Sequence, residues 1–233
     1  MNQYFLRNEN KNKVNMKIKV TFLLDKKNFN LSKNIIKNFY SNKKYIIKKS
    51  FESKKISNQD IVFVLNYTKI LPNKFLKDNK LVVVPHSSNL PMDKGFAPIQ
   101  NQILRNKKKI FVSLVKADVN HSVDSGPIFL KDYFMLDGTE LFDEIISKAI
   151  KADIKIIKKF LKEYPRIRSF NQSGKGKFNK KRYPEDSQIN INQSLKKQFN
   201  NLRINNNKDY PSYFLFKGFK YIIKIYKRKI SKD

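Results

Sequence analysis

Apolar residues come in short blocks separated by polar, lysine-rich stretches, and the spacing inside each block predicts its structure. Lys17 to Leu24 (KIKVTFLL), Tyr45 to Lys48, Asp60 to Asn66 (DIVFVLN) and Leu81 to Val84 are brief and rich in β-branched residues, as strands are. Between them, Phe29 to Tyr40 carries Leu31, Ile35, Ile36 and Phe39 at helical spacing. Pro98 to Arg105 reads as a further helix, and Ile110 to Val115 and Ile128 to Phe134 as two more strands. Thr139 to Leu161 is the clearest helix. Leu141, Ile145, Ala149 and Ala152 recur on one stripe beside Phe142, Ile146, Ile150, Ile154, Ile157 and Leu161, with Thr139 as the expected N-cap and Pro165 as the stop. Strands alternating with helices predict an α/β fold with a mostly parallel central sheet.

Later in the chain the pattern weakens. Phe170 to Lys181 (FNQSGKGKFNKK) reads as a mobile linker, its Gly-Lys-Gly-Lys run being the alternative phosphate contact. Ser194 to Leu202 predicts a short helix, and Phe214 to Tyr226 a hairpin turning at Lys217-Gly218. The expected organisation is a disordered polar leader over 1–15, a main domain over 16–163, and a linker with a small helix-plus-hairpin extension over 164–233.

Composition narrows the class. There is no cysteine and there are two histidines, which argues against a disulfide framework or a zinc site. No apolar run approaches membrane-spanning length, and the N-terminus lacks a secretory apolar core, so a cytoplasmic protein is expected. The net charge is +31, which raises nucleic acid or an anionic membrane as partners. Against that, 43 of the 50 basic residues are lysines scattered over nearly every segment, and arginine, the residue suited to bidentate contacts, is scarce. The charge therefore reads as compositional, although it favours anionic ligands. Neither a GxGxxG nor a Walker-type loop is present, which argues against a dehydrogenase or a nucleotide hydrolase.

The candidate chemistry sits in residues 81–126. A strand runs into Pro85-His86, a turn rich in Ser, Asn, Pro and Gly follows, and a later loop holds Asp124-Ser125-Gly126. A histidine leaving a strand end, with an aspartate delivered by a later loop, is a sensible general base with an orienting carboxylate. His86-Ser87-Ser88-Asn89-Leu90-Pro91, Gly95-Phe96-Ala97-Pro98 and Val123-Asp124-Ser125-Gly126 are the specific elements.

On those residues the chain, from about Lys17 to about Lys227, resembles the folate-dependent formyltransferases, whose pattern is His-x-Ser-x-Leu-Pro, Gly-x-x-Pro and Asp-x-Gly. Downstream, Arg182-Tyr183-Pro184-Glu185-Asp186-Ser187 and Tyr210-Pro211-Ser212-Tyr213-Phe214 are similar to the tail of short sugar N-formyltransferases of polysaccharide pathways. The resemblance implies a Rossmann-like formyltransferase fold. It also implies transfer of a formyl group from 10-formyltetrahydrofolate to a primary amine, with a nucleotide-linked amino sugar as the expected acceptor. The alternatives are a methionyl-tRNA formyltransferase and a catalytically weak, RNA-binding relative. Glycinamide ribonucleotide formyltransferases and formyltetrahydrofolate hydrolases fit the tail less well.

Under the same resemblance His86 is the base and Asp124 its partner. Pro91, Gly95, Phe96, Pro98 and Gly126 would border the folate. The family usually has Asn two residues before the histidine, where this chain has Val84. An oxyanion donor there is commonly worth about 10² to 10³ in rate. Asn89, Ser87 and Asn66 are the candidates to replace it.

Overall fold

The computed structural model describes residues 17–27, 29–41 and 43–230. The leader expected over 1–15 lies outside them. A six-stranded sheet runs β2 (Tyr45–Ser50), β1 (Ile18–Leu24), β3 (Ile61–Leu65), β4 (Val82–His86), β6 (Lys109–Lys116), β7 (Ile128–Met135). The first four are parallel, and β6 is antiparallel to both neighbours, so it alone of the six runs against the rest. Its helices are α1 (Phe29–Lys37), α2 (Asn73–Lys77), α3 (Pro98–Leu104) and α4 (Phe142–Glu163). After α4 come α5 (Leu195–Arg203) and a hairpin of β9 (Ser212–Phe216) and β10 (Phe219–Ile223). Two two-residue strands, β5 (Lys94–Gly95) and β8 (Phe178–Asn179), pair with each other in parallel.

The apolar blocks become central strands because both of their faces are covered. Val20, Phe22 and Leu24 of β1, with Ile61, Phe63 and Leu65 of β3, enter one core with Ile156, Ile157 and Phe160 of α4. The alternate residues Leu23, Val62, Val64 and Val82 enter the opposite core with Phe75 of α2. Phe22 and Phe63 stack at 5.4 Å, and Phe160 meets Phe63 edge-on at 5.7 Å. Such pairs add about 0.5–1.5 kcal/mol beyond their area. At the other edge β7, from Leu130 on, alternates half-buried and exposed residues, as a half-covered strand does.

Three local expectations are corrected. β4 continues two residues past Val84, through Pro85 and His86. Ala117 N donates to Val82 O, so the even-numbered residues of β4 turn their backbone groups toward β6. Pro85, lacking an N–H, faces the other side, where β3 registers no further than Val83. α4 begins at Phe142 and not after Thr139, because the buried Glu140 carboxylate collects the N–H groups of Asp137 and Gly138, both at 3.0 Å. Glu144 then reaches back to Leu141 N at 2.9 Å. The stretch 170–181 is not a free linker. Phe170 exchanges backbone bonds with Ile128, and β8 lies along β5.

The extension docks through polar contacts. Arg203, buried in α5, donates to Glu140 O at 3.2 Å and pairs with its carboxylate at 3.6 Å. Lys148 bonds the same carboxylate. Burial pushes the Glu140 carboxyl up, but the bonds from Lys148 and the backbone outweigh it and hold it below its ordinary value. The hairpin turn has positive φ at both Lys217 (48°) and Gly218 (81°), the type I′ geometry that suits a two-residue loop. Among the described residues no helix is long and apolar enough to cross a membrane.

Asp153 of α4 is the exception to this economy. Its Oδ1 is buried with no hydrogen-bond partner among the described residues, and burial pushes its carboxyl up to about 8. An acid whose folded pKa is raised costs nothing below its unfolded value near 4. It destabilises increasingly as pH climbs toward 8. Asp153→Asn is therefore expected to stabilise the fold by at least about 1 kcal/mol at pH 8 and by nothing resolvable at pH 4. Denaturant titrations at the two pH values measure the difference; an equal effect at both would reject this account.

Candidate functional site

At the carboxyl end of β4 the chain makes a turn whose backbone oxygens are all engaged. His86 O accepts from Ser88 N (2.7 Å), Ser87 O from Gln102 Nε2 (2.7 Å) and Ser88 O from Ser113 Oγ (2.6 Å). Asn89 O accepts from Met92 N (3.0 Å) and Leu90 O from Lys131 Nζ (2.7 Å). Leu90 is fully buried with Val115 and Ile128. Five consecutive carbonyls so satisfied leave the turn little freedom. The Ser-x-Leu-Pro pattern thus builds a rigid platform beside His86.

His86 is 8% exposed. Its Nε2 lies 2.9 Å from Asp93 O, and a carbonyl only accepts, so the neutral ring carries its proton on Nε2. Nδ1 then faces Asp124 Oδ2 at 3.7 Å, outside direct hydrogen bonding but inside ion-pair distance. Both side chains are 10% exposed. The two residues singled out in the sequence are therefore brought together.

Asp124 is held by three elements. Its backbone is left-handed (φ 57°). Its Oδ2 accepts from Gly95 N at 2.9 Å. Gln172 Nε2 donates to Asp124 O and to Gly126 O, both at 2.8 Å. Gly126 has a steric reason: a Cβ there would stand 2.0 Å from Lys116 O, where the loop crosses the end of β6. Gly95 (φ 84°) likewise admits no side chain, because a Cβ would meet the Phe178 ring at 2.7 Å and Asn179 O at 2.8 Å. Its close neighbour is the 170–181 segment.

The other candidates divide. Val84 lies two residues before His86 in the same strand and so on the same face, half-buried against apolar neighbours. That position offers no donor. Asn89 is exposed, and its Oδ1 accepts from Lys131 at 2.7 Å. Asn66 ends β3 and donates to Ser32 Oγ at 3.2 Å. Neither Lys131 nor Ser32 belongs to the His86 pair. Ser87 is half-buried, whereas Ser88 is fully buried with a hydroxyl that has no partner among the described residues. Pro91 and Phe96 flank the segment carrying Gly95, and Pro98 opens α3 at its first turn. His121 belongs elsewhere, since its Nδ1 meets Asp118 at 2.6 Å.

Sequence reasoning missed four residues. Asp93, buried and left-handed (φ 61°), supplies the carbonyl on His86, and its carboxylate is taken by Arg105 and by Asn179 Nδ2 at 3.0 Å. Gln172 clamps the aspartate loop. Nothing in the periodicity marks Gln172 or Asn179, which lie 48 and 86 positions from their partners Asp124 and Asp93.

Cations gather here. Lys94 Nζ bonds Ser125 Oγ at 2.7 Å, and burial of the Lys131 head against the turn draws its pKa down. Gln172 Oε1 is buried with no partner among the described residues, and Phe178 leaves much of its ring exposed beside Gly95. A flat cosubstrate with polar edges and an anionic tail fits orphaned polar atoms, exposed rings and nearby ammonium groups. Among the described residues no cluster of three or more His, Cys, Asp or Glu could hold a metal.

A family model described as formyl transferase matches residues 7–161. A methionyl-tRNA formyltransferase of Thermosipho melanesiensis is 32% identical over 136 residues, covering 58% of this chain and 44% of that protein. The chain thus spans under half the length of this curated relative. Among solved structures, a methionyl-tRNA formyltransferase from Clostridium thermocellum superposes with TM-score 0.76 at 22% identity, covering 91% of this chain and 94% of that one. A 4-N formyltransferase from Francisella tularensis gives 0.72 at 18%, covering 91% and 99%. HypX from Aquifex aeolicus, solved with tetrahydrofolic acid, gives 0.66 at 12%, covering 86% and 36%. These superpositions establish the formyltransferase fold.

Replacing Gln172 by Ala is expected to release the aspartate loop, since two carbonyls lose their shared donor. Backbone amide exchange across residues 122–126 should rise about tenfold or more with global stability nearly kept. Unchanged exchange there would mean that the loop is held by its own turn.

Proposed function

The chain belongs to the formyl transferase family, and on that premise we propose that it transfers a formyl group from 10-formyltetrahydrofolate to a primary amine. The observation that carries this reading is the enclosed His86–Asp124 pair, 3.7 Å apart. The cosubstrate supplies the formyl carbon and a nitrogen leaving group. Pro91, Gly95, Phe96, Pro98 and Gly126 would border it, and the tetrahydrofolic acid bound by the HypX relative supports that chemistry.

His86 has its Nε2–H committed to Asp93 O, so Nδ1 is the atom free to accept a proton. The amine attacks as a new N–C bond forms. Nδ1 takes its proton, and Asp124 Oδ2 stabilises the resulting imidazolium. The same proton returns to the folate nitrogen as its bond to the formyl carbon breaks. The Val84 side chain offers no donor to the formyl oxygen, so backbone N–H groups of the turn take that duty. Residues 16–163 would form the catalytic domain, with 164–233 completing the site through the 170–181 strap.

For the acceptor we favour a nucleotide-linked amino sugar. Beyond the Francisella protein, a likely sugar N-formyltransferase from Mycobacterium tuberculosis is covered over its entire chain, at TM-score 0.71 and 12% identity. Lys94, Arg105 and Lys131 around the turn suit an anionic acceptor. Methionyl-tRNA is the second reading, favoured by the methionyl-tRNA formyltransferase relatives and by the charge of +31.

His86→Ala is expected to lower formyl transfer by about 10² or more, the worth of a positioned acid–base group. Near-normal turnover in a folded variant would reject the assignment. The acceptor is tested by supplying formylfolate with a panel of nucleotide-linked amino sugars or with initiator methionyl-tRNA. Formylated sugar is the expected product; efficient tRNA formylation with no sugar product would overturn the choice.

A further inference from the structure

One tripeptide holds both members of the pair. Asp93 O receives Nε2–H of His86 at 2.9 Å, and Gly95 N–H, two residues on, donates to Asp124 Oδ2 at 2.9 Å. Between them, Lys94 reaches Ser125 Oγ in the aspartate loop. The separation of His86 from Asp124 is thus set by the conformation of residues 93–95. That conformation is unusual for Asp93, whose φ is positive (61°), whereas Gly95 adopts its positive φ (84°) freely. A non-glycine residue stays there only when something compensates for the strain.

The compensation is visible. The Asp93 carboxylate, 6% exposed, is bonded by Arg105 from the end of α3 and by Asn179 from the strap. The strap also pairs its backbone with the tripeptide. Lys94 N donates to Lys177 O at 2.9 Å, and Phe96 N to Asn179 O at 3.2 Å. Asn179 lies outside residues 7–161, the span of the family match.

We infer that Asp93 is a positioning residue: its carboxylate, anchored by Arg105 and Asn179, fixes the carbonyl that locks His86 in the Nε2–H tautomer and aims Nδ1 at the reacting amine. The inference rests on the reading of His86 as proton acceptor. It makes the strap a working part of the site, because removing the Asn179 anchor frees Asp93 and, through its carbonyl, the imidazole.

The chain contains two histidines, so ¹⁵N-histidine labelling of the full-length protein gives two imidazoles, and His121→Gln assigns them. The native His86 is expected to show a single Nε2–H tautomer at a pH where it is neutral. Asp93→Ala and Asn179→Ala should each yield an averaged tautomer. They should also lower kcat about tenfold or more with KM for formylfolate little changed, since small misplacements of a reacting group cost up to about 10² in rate. Asp93→Asn, which tolerates positive φ and can still accept from Asn179, should restore the single tautomer and most of kcat. If Asp93→Ala fails to fold, Asn179→Ala carries the same test. A single Nε2–H tautomer with unaltered kcat in the folded alanine variants would overturn the inference. The tautomer signal needs no substrate, so it stands apart from His86→Ala, whose full activity would sink the base assignment instead.

Discussion

β4 is hydrogen-bonded in opposite senses on its two edges, parallel to β3 and antiparallel to β6, and the site follows from that. A central strand must satisfy backbone groups on both sides. When β3 ends first, the exposed side of β4 can hold a proline, and the strand carries on to His86 beside β6 alone. The loop leaving β6 starts beside Val82, at the amino end of β4, and reaches across to His86 before it returns to start β7. It passes so close that Gly126 has no room for a side chain against Lys116 O. This crossing brings Asp124 to His86. In open α/β sheets ligands collect where strand order switches, and here the switch also supplies both ionisable groups.

The crossing alone would leave a loose loop beside an imidazole free to rotate. What tightens it arrives late in the chain. Gln172 gathers the carbonyls on either side of Ser125, and Asn179 anchors Asp93. The strap is kept in place at one end by the Phe170–Ile128 backbone pair and at the other by β8 on β5. Farther on, Arg203 locks α5 to Glu140 at the start of α4. Cutting such a buried pair by removing one partner leaves an uncompensated charge, which makes the extension structurally dependent on the domain it joins.

The fold was legible where burial on both faces produced unbroken apolar runs, as in Val62 to Leu65, and where helical spacing persisted, as along α4. His86 and Asp124 were legible because the residues around them are constrained twice, by backbone geometry and by chemistry. Elsewhere the sequence misled for physical reasons. Pro85 looked like a strand end because its harmless position on the unpaired edge depends on where β3 stops. Thr139 looked like a cap because the competing carboxylate of Glu140 is recruited by Lys148 and Arg203 from distant turns. The 170–181 stretch has the Gly, Asn and Lys content of a linker, yet its order comes from two-residue pairings too short to leave a period.

Fifty basic residues against 19 acidic ones leave a net charge of +31, so a positive field around the molecule is unavoidable. Its reach is short, because at physiological ionic strength screening acts over about 8 Å. Anions are therefore drawn in from many directions, and the general field cannot choose among them. Choice falls to the few cations whose geometry is fixed beside the His86 pair. Lys131 is bonded to Asn89 and Leu90, Lys94 to Ser125, and Arg105 to Asp93. Each is directed by an oxygen of the same turn or loop that sets the His86–Asp124 pair, so an anion bound by them would be held in register with Nδ1 of His86. The lysine-rich composition supplies the attraction, and the hydrogen bonds at the end of β4 convert a small part of it into orientation.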